Sequence, residues 1–333
     1  MTARIFCLFF VVSLVLTFGG TAGAGKKSGR KNCLDCHPRM TERFKGKNAH
    51  PPFKKKQCLV CHKFHGFANR VELKGSVSEV CTACHDIIED LSEDNRHAPI
   101  DDDESCILCH NPHRSDNPKL LKEKASALCL ACHDGPSESS TVHPPFARGD
   151  CVACHNPHGS IFEHFLQMPA GYVCLGCHTD IIDGQPENMH AAKDLASCEQ
   201  CHDGHESQNT FLLHQPQPAL CFSCHEFDDS LVTVHGGRTP RRCTECHNPH
   251  GSGNTGLIWK HQHPPFADRD CESCHEAGEQ PEDLRSPDLC MACHDELSTK
   301  AHPEQVLSRK ICLDCHTPHA SGQPHLLTKP PNQ

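Results

Sequence analysis

Thirteen times along this chain two cysteines stand two residues apart with a histidine directly behind the second. The constraint is severe, because thirteen short turns must each present two thiols and an imidazole together. The pairs are Cys33 and Cys36, Cys58 and Cys61, Cys81 and Cys84, Cys106 and Cys109, Cys129 and Cys132, Cys151 and Cys154, Cys174 and Cys177, Cys198 and Cys201, Cys221 and Cys224, Cys243 and Cys246, Cys271 and Cys274, Cys290 and Cys293, and Cys312 and Cys315. The histidines behind them are His37, His62, His85, His110, His133, His155, His178, His202, His225, His247, His275, His294 and His316. Two thiols on one tight turn can add to the two vinyl groups of a haem, and the next imidazole then lies under the iron as its proximal ligand. A CxxC pair also suits a zinc site or a thiol redox centre, but neither gives a reason for a histidine after every pair. Thirteen covalently attached haem c groups are expected.

The N-terminus points the same way. Arg4 gives a short positive start, Ile5 to Phe18 is an apolar run of signal-peptide length, and Ala22-Gly23-Ala24 offers a small-residue cleavage site. Residues 1–24 are therefore expected to be a signal peptide, and the one leftover cysteine, Cys7, would leave with it. No later stretch reaches the roughly 18 apolar residues of a membrane-spanning helix. The expected location is the periplasm, or the outer membrane and extracellular side after export.

Hydrophobic residues make up 36% of the chain, but that figure includes all 27 cysteines, and there is one Trp and one Tyr. Such a chain has little with which to build a side-chain core. The expected fold class is a multihaem cytochrome c, mostly loops and short α-helices wrapped around a closely packed haem chain, with little or no β-sheet. The 25 prolines and 22 glycines agree with a loop-rich wrapping. Without its porphyrins the chain is expected to be unfolded or molten.

An internal repeat organises the order of motifs. A full unit reads His-Pro-Pro-Phe or similar, then a first CxxCH, a histidine three residues after the proximal one, a spacer, and a second CxxCH. Units begin at His50, His97, His143 and His190, and the motif at Cys33 is an isolated second half. The unit at His235 lacks its second motif, as does the last unit at His302. Residues 25–250 are thus read as a ten-haem repeat region, 251–262 as a candidate joint, and 263–333 as a three-haem C-terminal region. Acidic clusters such as Asp101-Asp102-Asp103-Glu104 read as solvated surface.

The pairing of CxxCH-x-Pro-His with a following Leu-Cys-x-x-Cys-His resembles the doubled-CxxCH family of multihaem cytochromes. Asn156-Pro157-His158-Gly159-Ser160 and Asn248-Pro249-His250-Gly251-Ser252 look like stretches of the periplasmic decahaem cytochromes that pass electrons into outer-membrane porin conduits. The resemblance covers residues 31–320 and implies electron transfer; this chain departs from it in carrying thirteen motifs and in its broken register near residue 251.

Thirty histidines less the thirteen proximal ones leave candidates for the other axial position of each iron. His50, His97, His143, His190, His235, His263 and His302 precede a first-half motif, while His65, His113, His158, His205, His250 and His319 follow three residues after a proximal histidine. Together they make thirteen distal candidates, one per iron. His164, His214, His261 and His325 are left as surface or packing residues. A histidine only three residues beyond the proximal ligand starts on the wrong side of the porphyrin, so it should bind a neighbouring haem. The upstream histidines can reach their own unit's haem or the preceding one.

One assignment sends His65, His113, His158 and His205 to the haems at Cys81, Cys129, Cys174 and Cys221, and His250 to that at Cys290. It leaves His319 over and the haem at Cys33 incomplete, which head-to-tail self-association would resolve. The alternative has His50 serve the haem at Cys33.

Iron with two imidazoles has no open position, so its work is one-electron transfer. The chain is read as an electron-transport protein of the cell envelope, in extracellular or respiratory electron transfer, with no catalytic residue. The competing classes are an oxidoreductase with an open haem of the nitrite or hydroxylamine type, for which only Tyr172 could supply a tyrosine crosslink, and a polymer-forming cytochrome subunit. The formal net charge of −10 disfavours nucleic acid and anionic membranes. Expected partners are other redox proteins or a porin-type outer-membrane conduit.

Overall fold

The computed structural model describes residues 33–64, 71–87, 92, 95–100, 104–139, 141–182, 188–190, 198–237, 239, 241–275, 286–294, 302 and 312–328. The apolar run, the cleavage site and His65 lie outside these residues. An N-terminal unit ends at Lys45 and a main unit runs from Gly46 onward. The described part of the first holds two one-turn helices, Cys33–Cys36 and Met40–Arg43.

In the main unit the second-half motifs begin inside short helices, Val77–Thr82, Ala125–Cys129, Ala170–Leu175, Ala219–Phe222 and Pro287–Met291. Helices this short cannot persist on propensity alone, and at two of them a side-chain cap fixes the start. Ser76 and Glu79 form a reciprocal capping box, and the Ser286 side chain accepts from the Asp288 N–H ahead of Pro287. Most first-half motifs instead start with a single 3-10 turn, as at Cys58–Val60 and Cys151–Ala153.

Sheet structure among the described residues is confined to three two-residue antiparallel ladders and isolated bridges. β1 (Asn48–Ala49) pairs with β2 (Arg114–Ser115), β3 (Thr141–Val142) with β4 (Glu206–Ser207), and β5 (His261–Gln262) with β6 (Ala320–Ser321). Each ladder joins the start of one unit to the segment behind the first motif of the next. At the equivalent places Arg96 bridges Gly159 and Asn188 bridges Ser252. These joints act as staples between successive units.

Only Leu166 and Ala320 are buried apolar residues among those described. Leu59, Val60, Leu108, Leu130 and Val152, all within or beside the cysteine pairs, stay exposed. The fold class read from the sequence, loops and short helices with almost no sheet, is the one observed.

One staple depends on a glycine. Gly159 has φ of 129°, and a Cβ there would run into the Asn95 carbonyl, which accepts from the Ser160 N–H. Gly159→Ala is expected to destabilise the loaded protein by about 1–3 kcal/mol. A thermal melt followed at the Soret band checks this, and an unchanged midpoint would contradict the steric account.

Candidate functional site: paired histidines at the cysteine turns

In all thirteen motifs the histidine N–H donates to the carbonyl of the first cysteine, at 2.9–3.1 Å. That bond closes one helical turn, which brings the side chains at the first, fourth and fifth positions close together. Two thiols and an imidazole are thereby gathered at each turn, as attachment of a haem requires.

A second contact orients the ring in most first-half motifs. His110 Nδ1 lies 2.8 Å from the Lys119 carbonyl, His155 Nδ1 2.8 Å from that of His164, His202 Nδ1 2.7 Å from that of Phe211, and His316 Nδ1 2.8 Å from that of His325. His247 Nδ1 meets the Gly256 carbonyl in the same way. The accepting residue lies nine positions on, at a left-handed turn; Lys119, His164, Phe211 and His325 have φ of 54–57° without being glycine. With Nδ1–H committed to a carbonyl, Nε2 is the nitrogen left to bind a metal. Sequence reasoning missed these anchors. Their one signal is the constant spacing, followed by a Leu or Phe that is also left-handed.

The histidines three residues behind the proximal ones are set by an Asx turn. The Asn111, Asn156 and Asn248 side-chain carbonyls accept from the N–H of His113, His158 and His250 at 3.1 Å, and Asp203 does so for His205 at 2.8 Å. The upstream histidines sit beside them across the staples, His50 N–H donating to the His113 carbonyl, His97 to His158, His143 to His205 and His263 to His319. Nδ1 of His97 and His143 also reaches the carbonyls of Pro157 and Gly204, both at 3.0 Å. The phenylalanines of His-Pro-Pro-Phe serve the neighbouring ring: Phe53 packs on His113, Phe146 on His205 and Phe266 on His319, with centroids 4.7–5.4 Å apart.

Among the described residues, twelve proximal histidines face twelve of the distal candidates. The upstream set gives His50 with His85, His97 with His133, His143 with His178, His190 with His225 and His263 with His294, with ring centres 5.9–6.2 Å apart. The followers give His113 with His62, His158 with His110, His205 with His155, His250 with His202 and His319 with His275, at 5.7–6.1 Å. His235 faces His247 at 6.1 Å, and His302 faces His316 at 6.0 Å. The four spare histidines are engaged otherwise: His164 and His325 offer the carbonyls just described, His214 Nε2 lies 2.8 Å from the Glu199 carbonyl, and His261 is in β5.

This pairing corrects the assignment that sent followers to the next second-half haem. None of these five followers faces the proximal histidine of its own motif, and each reaches back to the first motif of the preceding unit. The staple causes this, because it sets the follower beside the upstream histidine of that earlier unit and aims the two rings at its two motifs. His319 faces His275 and is not left over, so the head-to-tail resolution built on it falls. His50 faces His85, so its use at Cys33 falls as well.

Burial and the facing imidazole hold His50, His113, His158, His205, His250, His263 and His319 below the usual histidine range. The neutral ring that results is the form that binds metal.

The attachment cysteines also line up in chain order. Burial and then the adjacent Cys106 thiol push Cys81 up to about 11, and burial with Cys198 does the same to Cys174. Burial raises Cys129 and Cys290 too, with Cys151 and Cys312 as their neighbouring thiols, and burial followed by the Cys243 thiol pushes Cys221 up to about 11. Each second-half turn therefore abuts the first turn of the next unit.

The arrangement fits haem iron. Two imidazoles on one metal, each with a metal–nitrogen bond of about 2 Å, place their ring centres about 6 Å apart, as observed in every pair. At His275 and His319 the two Nε2 atoms face each other at 3.4 Å. No curated protein matches the chain. The family model of the doubled CXXCH motif matches residues 50–89, 97–138, 143–182, 190–230, 263–299 and 305–333, together more than half of the sequence. The chain belongs to the doubled-CXXCH family and is a multihaem c-type cytochrome.

Proposed function

We propose that this protein carries thirteen covalently bound haem c groups, twelve of them held by the facing histidine pairs, and passes electrons along them in the cell envelope. The facing histidine pairs carry this reading. Bound haem iron supplies reversible one-electron chemistry, and the chain's own residues decide what else can happen there. The two imidazoles of a pair would together hold one iron and leave it no position for a substrate, whereas an enzyme of the nitrite or hydroxylamine type needs one open. Five second-half cysteine turns abut the first turn of the next unit, which would bring the porphyrins attached there close enough to exchange electrons.

The export signal read at residues 1–24 and the need for haem attachment outside the cytoplasm support a periplasmic or outer-surface location. No helix among the described residues is long and apolar enough to cross a membrane. The partners that suit such a conductor are other redox proteins at one end and a porin-type conduit or external acceptor at the other, in extracellular or respiratory electron transfer. Matured protein should contain thirteen haems by haemochrome assay and intact mass, with a low-spin electron paramagnetic resonance spectrum. Ten or fewer haems, or a sizeable high-spin signal at rest, would refute the reading.

A further inference from the structure

Wherever a unit has both motifs, its first proximal histidine is met from one repeat downstream. The chain from His50 to His250 is stitched in this way through four successive units. The units at His235 and His302 hold one motif each. In both, the upstream histidine has no second-half partner in its own unit and turns onto that unit's only proximal histidine. The upstream rings of full units are inclined to their partners by 20–24°, or 42° at His190, and His302 falls within that span at 38°, while His235 is turned furthest, at 59°. His235 Nδ1 is also anchored locally, 2.7 Å from the Leu231 carbonyl in the helix Asp229–Val234 that it caps.

The reason lies in the next unit. Behind the motif at Cys271 stands Ala277-Gly278 where the follower would be, so that unit sends no such histidine back to His247. We propose that His235 and His302 are closing ligands that divide the axial coordination into two self-contained sets. One comprises the haems attached from Cys58 to Cys246, the other those attached from Cys271 to Cys315, and no axial histidine is shared between them. The haem at Cys33, in the N-terminal unit, stands outside this division. The inference rests on the ligation proposed above.

What joins the two sets at the crossing from Trp259 to His261 is peptide packing. Trp259 donates its indole N–H to the Thr244 carbonyl at 2.8 Å within the first set. Its ring edge lies against Gly322 of the second, where a side-chain Cβ would stand 3.1 Å from it. Coordination faults should therefore stay on their own side of this seam.

The test uses the full-length, haem-loaded protein and carbon monoxide as the probe. His235→Ala should convert one further haem to high spin and raise carbon monoxide binding by one per chain. That binding should vanish when Cys243→Ala and Cys246→Ala are added, since they remove the haem concerned. His250→Ala should give a site that survives those two changes and disappears with Cys198→Ala and Cys201→Ala. A His235→Ala site that survives loss of the Cys243 haem, or a His235→Ala protein that stays wholly low-spin, would overturn the division. If His235→Ala does not mature, His235→Met should leave every haem low-spin and raise one midpoint potential; thirteen unshifted potentials would then overturn it. Failure of the proposed ligation itself would already appear as a high-spin signal in the unsubstituted protein.

Discussion

Produced without covalent haem attachment, the chain is expected to show no cooperative thermal transition and little ordered circular dichroism. A folded domain of this length ordinarily encloses a large apolar interior, and the cost of ordering each residue, about 1–2 kcal/mol for the backbone, has to be met by that burial. Here Leu166 and Ala320 are the buried apolar side chains among the described residues, and the ladders are two residues long. One-turn helices such as Cys33–Cys36 and Cys106–Cys109 are too short to stand alone. The porphyrins have to supply the apolar surface that the side chains lack. A cytoplasmically produced chain without residues 1–24, compared with matured protein by circular dichroism and calorimetry, checks this. A native-like cooperative melt in the haem-free chain would contradict it.

His158→Ala should give one high-spin, carbon monoxide-binding haem, and it should be the haem attached at Cys106 and Cys109. His158 lies three residues behind His155, yet its ring faces His110 at 6.1 Å, and the staple at Gly159 fixes that direction. Haem content should not change, because the thioether cysteines are untouched. Carbon monoxide binding is expected to rise by one per chain, and that gain to be abolished by adding Cys106→Ala and Cys109→Ala. Loss of low-spin character at the Cys151 haem instead would show that the follower serves its own motif.

Much of this was legible in the sequence, and the physical reason is local. A CxxCH turn is complete within five residues, so its spacing declares the thiols and the imidazole without reference to the rest of the chain. The three-residue reach of His158 likewise excluded its own iron on local grounds. Which other iron it serves was not legible, because that depends on a ladder between segments some sixty residues apart, such as Ala49 with Arg114. Two residues of pairing leave almost no pattern to read. The left-handed turns at Lys119, His164 and Phe211 were hidden for another reason: φ near 55° is usually signalled by glycine or asparagine, and here other residues hold it. The behaviour of His235 and His302 could have been anticipated, since the missing second motifs are visible by inspection.

The carbonyl anchors on the imidazoles carry a consequence for energetics. A ring that donates Nδ1–H to a carbonyl is a more basic ligand, and a more basic ligand favours ferric over ferrous iron. In the units at His97, His143 and His190 a first-half iron would receive this through its proximal ring, at His110, His155 and His202, and in the first two of them the second-half iron would receive it through its distal ring, at His97 and His143. Neighbouring irons in the units at His97 and His143 would thus start from a similar baseline although the anchored side alternates. What separates their redox potentials is then left to burial and to nearby charge, such as the lysines at Lys54, Lys55 and Lys56 ahead of Cys58 or the carboxylate of Glu199 beside Cys174. A level stretch of this kind would let electrons run in either direction, with the slope set by the donor and acceptor of the electron transfer proposed above.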